Sequence, residues 1–312
     1  MAVDLSKIKT EQRNEKSKNI DLLSTKEMLE IINGEDQKVA LAVKEALGQI
    51  EKLVDKVVEV FENDGRLIYM GAGTSGRVGI VDAVECRPTF GVPHEMVQCL
   101  MAGGKNAFVQ AVEGAEDSKT MAVDDLKNIN LSDKDIVIGI AASGRTPYVI
   151  GGIEYAKEVG AATGCIVTSP NSPLAQLVEF EVEAITGEEV ITGSTRLKSG
   201  TAQKMICNMI STASMIKIGH GYQNLMIDVL PTNEKLVARA INIIVELTGL
   251  EKEEAKKYYE TYGNVKNALF ASMSGIKEKE EVIKIMNENK QNLRKALERE
   301  HSCADHFLPV PE

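Results

Sequence analysis

Five short apolar runs, separated by segments of helical spacing, limit this chain to one class of fold. The runs fall at 66–70, 96–101, 135–140, 162–168 and 180–185, and the helical segments at 75–85, 105–113, 118–127, 146–159 and 172–177. Ile136-Val-Ile-Gly-Ile140 is apolar at every position, which suits a strand covered on both faces. Strict alternation of strands and helices predicts an α/β fold: a doubly wound, parallel, five-stranded sheet.

Three Gly/Ser/Thr-rich stretches punctuate this pattern. Gly71-Ala-Gly-Thr-Ser-Gly-Arg77 follows the first run, and Ala141-Ala-Ser-Gly-Arg-Thr146 follows the third. Thr192-Gly-Ser-Thr-Arg-Leu-Lys-Ser199 precedes a helical segment at 199–219. Small residues let a ligand approach the backbone, hydroxyls donate to anionic oxygens, and a following helix aims its N–H groups at the same point. In doubly wound sheets ligands sit at the carboxyl ends of strands, where two of these loops fall. The combination predicts a phosphate-bearing small molecule held by Thr74, Ser75, Gly76, Ser143, Arg145, Thr146, Ser194, Thr195, Arg196, Lys198 and Ser199.

Gly71, Gly73 and Gly76 also match the G-x-G-x-x-G spacing of dinucleotide sites. That reading needs an acid at the tip of the second strand to hold ribose, and the strand ends instead in Met101-Ala-Gly-Gly104. A P-loop is ruled out because no Gly-Lys-Ser/Thr follows the glycines. The net charge of −10 argues against nucleic acid or an anionic membrane as partner, since phosphate backbones need clustered Lys and Arg. Five scattered cysteines, without a Cys-x-x-Cys pair, read as reduced thiols of a cytoplasmic protein. No signal segment and no apolar run of membrane-spanning length is visible.

Around this core, residues 1–20 read as flexible, and the domain expectation is an N-terminal arm and short helix over 1–35. Ser24-Thr-Lys-Glu27 is a capping box that starts the short helix, and Gly34 is expected to stop it. A long amphipathic helix is expected over 36–63, its apolar face broad enough to meet a partner surface as well as a core. The α/β domain with the three loops then runs over 36–230, and 231–312 reads as an appendage of four helices broken near Gly249, Gly263 and Gly275.

Two carboxylates stand out. Glu85 lies late on the helix that begins at the first loop, in surroundings expected to be apolar and so to raise its pKa. Glu116 lies at the glycine-punctuated break Val112-Glu-Gly-Ala-Glu-Asp117, where spacing leaves Glu113 and Asp117 as alternatives. His94, His220, His301 and His306 show no zinc-type spacing, and His301-Ser-Cys303 with His306 reads as a polar tail, so no metal site is expected.

GAGTSGR, DAVECRPTFG, the EGAEDS segment, GIAASGRTPYV and TGSTRLKSGTAQK together resemble the N-acetylmuramic acid 6-phosphate etherases, of the sugar-isomerase (SIS) fold. The resemblance runs from about Thr25 to Lys235 and weakens through the helical end; Arg87 departs from the family pattern, which has a small residue or Pro there. It implies release of D-lactate from N-acetylmuramic acid 6-phosphate by elimination then hydration, without metal or redox cofactor, in cell-wall amino sugar recycling. It further implies catalytic roles for Glu85, at the ether oxygen and then on water, and for Glu116 at the C2 proton. The dimeric habit of the fold implies a homodimer with shared sites. The alternative is a non-catalytic phosphosugar-binding regulator, such as the glucokinase regulatory protein with its similar glycine loops, or a phosphosugar isomerase of the same fold.

Overall fold

The structure, a computed structural model, describes residues 9–110, 112–229, 231 and 233–303. It divides into two compact units: one takes the chain to Glu85 and Pro93–Ser214, the other Cys86–Val92 and the chain from Met215 on. Among the described residues, no helix is long and apolar enough to cross a membrane.

The first unit carries the sheet. Strands β1 (Leu67–Gly71), β2 (Val97–Met101), β3 (Ile136–Ile140), β4 (Ala162–Val167) and β5 (Phe180–Glu183) are all parallel, in the order β2-β1-β3-β4-β5. All five predicted strands are present, with ends shifted by one or two residues. β1 and β3 are buried at every position, which is why their sequences run apolar without alternation.

Eight helices complete this unit: α1 (Thr25–Glu45), α2 (Leu47–Glu62), α3 (Gly73–Phe90), α4 (Asn106–Val109), α5 (Lys119–Asn128), α6 (Pro147–Val159), α7 (Pro173–Leu177) and α8 (Lys198–Lys217), of which α3 and α8 continue into the second unit. The two faces of β1 separate them. Tyr69 faces α3 and α8: its hydroxyl bonds Asp82 at 3.2 Å and the Cys207 carbonyl at 3.4 Å. Ile68 and Met70 face the other way, in a cluster with Ala122 and Leu126 of α5 and Val149 and Ile153 of α6. The strand starts are tied by Arg66, whose guanidinium forks onto Asp135 at 3.0 and 2.7 Å and also donates to the Ile129 and Asn130 carbonyls. Those bonds hold the Asp135 carboxyl below its ordinary range despite the opposing effect of burial.

Two N-terminal expectations are corrected. Gly34 does not stop α1, because the exposed glycine lacks only a side chain there and the helix continues to Glu45, breaking instead at Ala46. Residues 9–22 are not loose. They form three 3-10 turns (Lys9–Glu11, Glu15–Ser17, Ile20–Leu22) that bury Thr10 and Ser17.

The second unit is helical: α9 (Glu234–Thr248), α10 (Lys252–Tyr262), α11 (Val265–Ser274), α12 (Lys279–Glu288) and α13 (Leu293–Cys303). Among the described residues there are five helices where the sequence suggested four. The last break has no glycine; Lys290 and Gln291 adopt φ of 51° and 59° instead. The core gathers on Ala268, Leu269 and Phe270 of α11. Beside it Lys266, almost fully buried, pairs with Asp228 at 2.6 Å, and His220 Nδ1 meets the same carboxylate at 2.7 Å. The His301, Cys303 and His306 side chains lie outside the described residues.

Candidate active site

Parallel register sets Gly71, Met101 and Ile140 side by side at the carboxyl end of the sheet, so the first two glycine loops leave it at one level. The first loop folds straight back onto its strand. A Cβ on Gly71 would stand 2.6 Å from the Gly76 nitrogen, and one on Gly76 would stand 2.7 Å from Met101 Cγ. That compact turn buries Ser75 and Gly76 in the first turn of α3 and leaves Thr74 half-buried.

The second loop is pinned to β4 by Ala141 N–H to Ile166 O (3.1 Å) and Thr168 N–H to Ala142 O (3.0 Å). Ser143, Arg145 and Thr146 are half-buried, and Arg145 Nη1 donates to the Ser143 carbonyl. Thr146 heads α6, followed by Pro147, and its hydroxyl does not cap the helix.

The third loop is held from behind. Glu189, fully buried, accepts from the backbone N–H of Lys198 at 3.0 Å and of Ser199 at 2.9 Å. The Lys198 ammonium is buried too, on Glu35 at 2.8 Å. The N-terminal turns strap the segment leading in. Asn14 donates to the Glu188 carbonyl, Ser17 Oγ to the Val190 carbonyl at 2.7 Å, and Gly193 N–H to the Thr10 carbonyl at 3.0 Å. Lys198 and Ser199 are therefore tied inside this unit, whereas Ser194 and Thr195 are half-buried and Arg196 is exposed.

Direct contacts join the loops. A Cβ on Gly200 would stand 3.1 Å from Thr74 Cγ2, and Ser75 Oγ donates to Gln203 Oε1 at 2.9 Å. Thr168 Oγ1 reaches both the Ala142 carbonyl (3.2 Å) and Ser199 Oγ (2.9 Å). Beside the first loop a cavity of about 230 Å³ is lined by Ala72, Gly73, Arg77, Glu113, Gly114 and Glu116, among others. The hollow thus holds the Arg77 guanidinium side chain and two carboxylates, Glu113 and Glu116, in its lining, beside the first glycine loop.

Residues 49–157 match the model of the glucokinase regulatory protein N-terminal SIS domain, and residues 108–213 that of the SIS domain. Relatives named N-acetylmuramic acid 6-phosphate etherase from Bacillus cereus (strain B4264) and Geobacillus sp. (strain WCH70) are each 58% identical over 266 residues, 85% of this chain and 90% of theirs. The chain belongs to the N-acetylmuramic acid 6-phosphate etherase family. A solved phosphoheptose isomerase from Francisella tularensis is also similar, at 16% identity and a TM-score of 0.44, covering 61% of this chain and all of that one (100%).

The two acids that family membership brings forward are placed differently in this etherase. Glu116 and Glu113 line the cavity, and Asp117 is not among its lining residues. Glu85 is exposed, because it lies on the outer face of α3. It is eight residues beyond Arg77, roughly 12 Å along the helix axis. The buried carboxyl of that helix is Asp82. Burial pushes its pKa up, against hydrogen bonds from Asn208, Ser211 and Tyr69. Sequence reading passed over Asp82, although its place seven residues after Ser75, two turns along the same face, was the available signal. It also passed over Arg77 and Gln203. Arg77 steadies the cavity wall by donating to the Ala107 and Phe108 carbonyls at 2.8 and 2.9 Å.

Proposed function

We propose that this etherase works through Glu116 and Glu85, with the sugar phosphate held among Ser75, Ser143 and Thr146. The observation that carries the reading is the placement of Glu116 on the wall of the cavity that the first glycine loop floors. In the ring-opened substrate the C1 aldehyde acidifies C2–H. Glu116 takes that proton, the C3–O bond breaks, and an acid delivers a proton to the departing lactate oxygen. Water then adds at C3 of the unsaturated aldehyde, and C2 regains a proton. Glu85 is assigned to the ether oxygen and then to the water.

Thr74, Gly76 and Arg145 add donors around the phosphate, and Ser194, Thr195 and Arg196 approach from the third loop. Lys198 and Ser199 act from beneath, by fixing that loop. Glu85 is not among the lining residues of the cavity that Glu116 lines, and α1 leaves Leu29 and Leu41 60% and 63% exposed. Both facts support a homodimer in which a second copy brings its Glu85 to the hollow. The thiols of Cys86, Cys99, Cys165 and Cys207 are not joined in disulfides, which supports a reducing, cytoplasmic setting.

The deciding experiment is turnover of N-acetylmuramic acid 6-phosphate in deuterated and in ¹⁸O-labelled water. Lactate release with deuterium at C2 and ¹⁸O at C3 of the sugar is the expected result. Label in lactate would point to displacement at the lactyl carbon and overturn the elimination, and no lactate at all would favour a regulatory binder.

A further inference from the structure

Buried in the seam between α3 and α8 is an amide with one end satisfied and the other not. Gln203 has no exposed surface, and its Oε1 accepts the Ser75 hydroxyl at 2.9 Å. Among the described residues its Nε2 has no hydrogen-bond partner. Farther along the same helix pair Asp82 accepts from Tyr69, Asn208 and Ser211, while among the described residues the buried Ser214 Oγ of α8 has no partner. The orphaned amide donor lies at the glycine-loop end of this seam, where Thr74 meets Gly200. A buried N–H left without a partner is rare and costly, so its position marks a place where hydrogen bonding changes.

The arithmetic of one hydroxyl supplies the change. Ser75 has a single hydrogen, and in this arrangement it is engaged by Gln203 Oε1. A phosphate oxygen is an acceptor and needs that hydrogen. If the amide turns over about its last bond, Nε2 donates to Ser75 Oγ and the hydroxyl hydrogen swings outward to the phosphate. The orphan then becomes a carbonyl oxygen, which tolerates burial better than an unpaired N–H.

We propose that Gln203 is a positioning residue for the substrate phosphate, its side-chain amide turning over on binding so that Ser75 accepts from Gln203 and donates to the phosphate. The proposal rests on the reading that Ser75 holds the phosphate. Gln203 itself touches Ser75 and not the sugar, so its effect runs through Ser75 and appears in ground-state binding.

The test is a cycle on the full-length enzyme with Ser75→Ala, Gln203→Met and the double variant, measuring KM and kcat for N-acetylmuramic acid 6-phosphate and the inhibition constant of inorganic phosphate. Ser75→Ala is expected to raise both binding constants about tenfold or more. Gln203→Met should raise them about fivefold with kcat nearly kept, and should add less than about twofold in the Ser75→Ala background. Gln203→Glu, of the same shape, accepts but does not donate while ionised. Its KM relative to wild type should be highest at neutral pH and fall as the carboxyl protonates. Equal effects of Gln203→Met in both backgrounds would overturn the proposal, as would a Gln203→Glu to wild-type KM ratio that ignores pH. An unchanged KM for Ser75→Ala would remove the underlying phosphate assignment; a raised KM for Ser75→Ala with none for either Gln203 variant would remove this inference alone.

Discussion

Both carboxylate oxygens of Glu189 receive backbone N–H groups from the start of α8, Oε2 from Lys198 and Oε1 from Ser199. The third glycine loop therefore ends in a helix N-terminus already closed by an acid of its own chain. An anion held by this loop has to use its hydroxyls and its other amides. Glu189→Ala should orphan two buried N–H groups at about 1–3 kcal/mol each, and Glu189→Gln, which keeps one acceptor oxygen, should lose less. Urea unfolding of the two variants checks the order; equal stabilities would contradict it.

The buried pair behind the same loop sets a pH dependence. Burial alone would raise the Glu35 carboxyl, but hydrogen bonds from Lys198 and Lys38 outweigh it and hold the pKa down to about 2. The folded value lies below that of an unfolded Glu, about 4.3. The stabilisation is therefore complete above about pH 4.5 and is lost as pH falls toward 2. Glu35→Gln should flatten this part of the acid-unfolding profile. It should also destabilise the protein at neutral pH by about 3–5 kcal/mol, because Lys198 is left buried and uncompensated. A variant with the wild-type acid profile would refute the assignment.

The N-terminal strap is expected to matter for activity, not only for folding. Ser17→Ala leaves the Val190 carbonyl without its 2.7 Å partner, and removal of residues through Ser17 also frees Gly193 from Thr10. Loss of loop order should lower kcat/KM about tenfold or more for the truncation, with a smaller effect for Ser17→Ala. Unchanged kinetics in a truncated enzyme would show that the loop holds its shape unaided.

Gly144→Ala should be among the most damaging single changes in the second loop. Its φ of +64° disfavours any side chain, and the new Cβ would collide with Ser172 Oγ. We expect about 1–3 kcal/mol lost in thermal unfolding together with a raised KM. Adding Ser172→Gly should recover the steric part only.

The two acids can be separated and also recombined. Glu85→Gln should stop ether cleavage while leaving C2 exchange, and Glu116→Gln should suppress both, each by about 10²–10⁴-fold. If sites are shared, mixing the two inactive variants under exchange conditions should restore about a quarter of wild-type activity, since half the dimers are mixed and each of these has one intact site. No recovery in the mixture would place both acids in one protomer.

Sequence alone determined the sheet. The apolar runs at β1 and β3 had to be covered on both faces, and the turn chemistry of GAGTSGR and AASGRT fixed where helices start. It also determined the family, because family-specific motifs are linear. Tertiary structure decided which polar groups are used up. Lys198 and Ser199 read as ligands next to Gly193, yet Glu35 and Glu189, distant or unremarkable in sequence, engage them first. Glu85 stands out in the sequence by its expected apolar surroundings and is exposed, while Asp82, three residues earlier, is the buried carboxyl, because helix phase depends on where α8 packs. Residues 9–22 read as loose because they are polar and short of apolar periodicity. They are ordered by hydrogen bonds to backbone more than 170 residues away, a contact that local pattern does not encode.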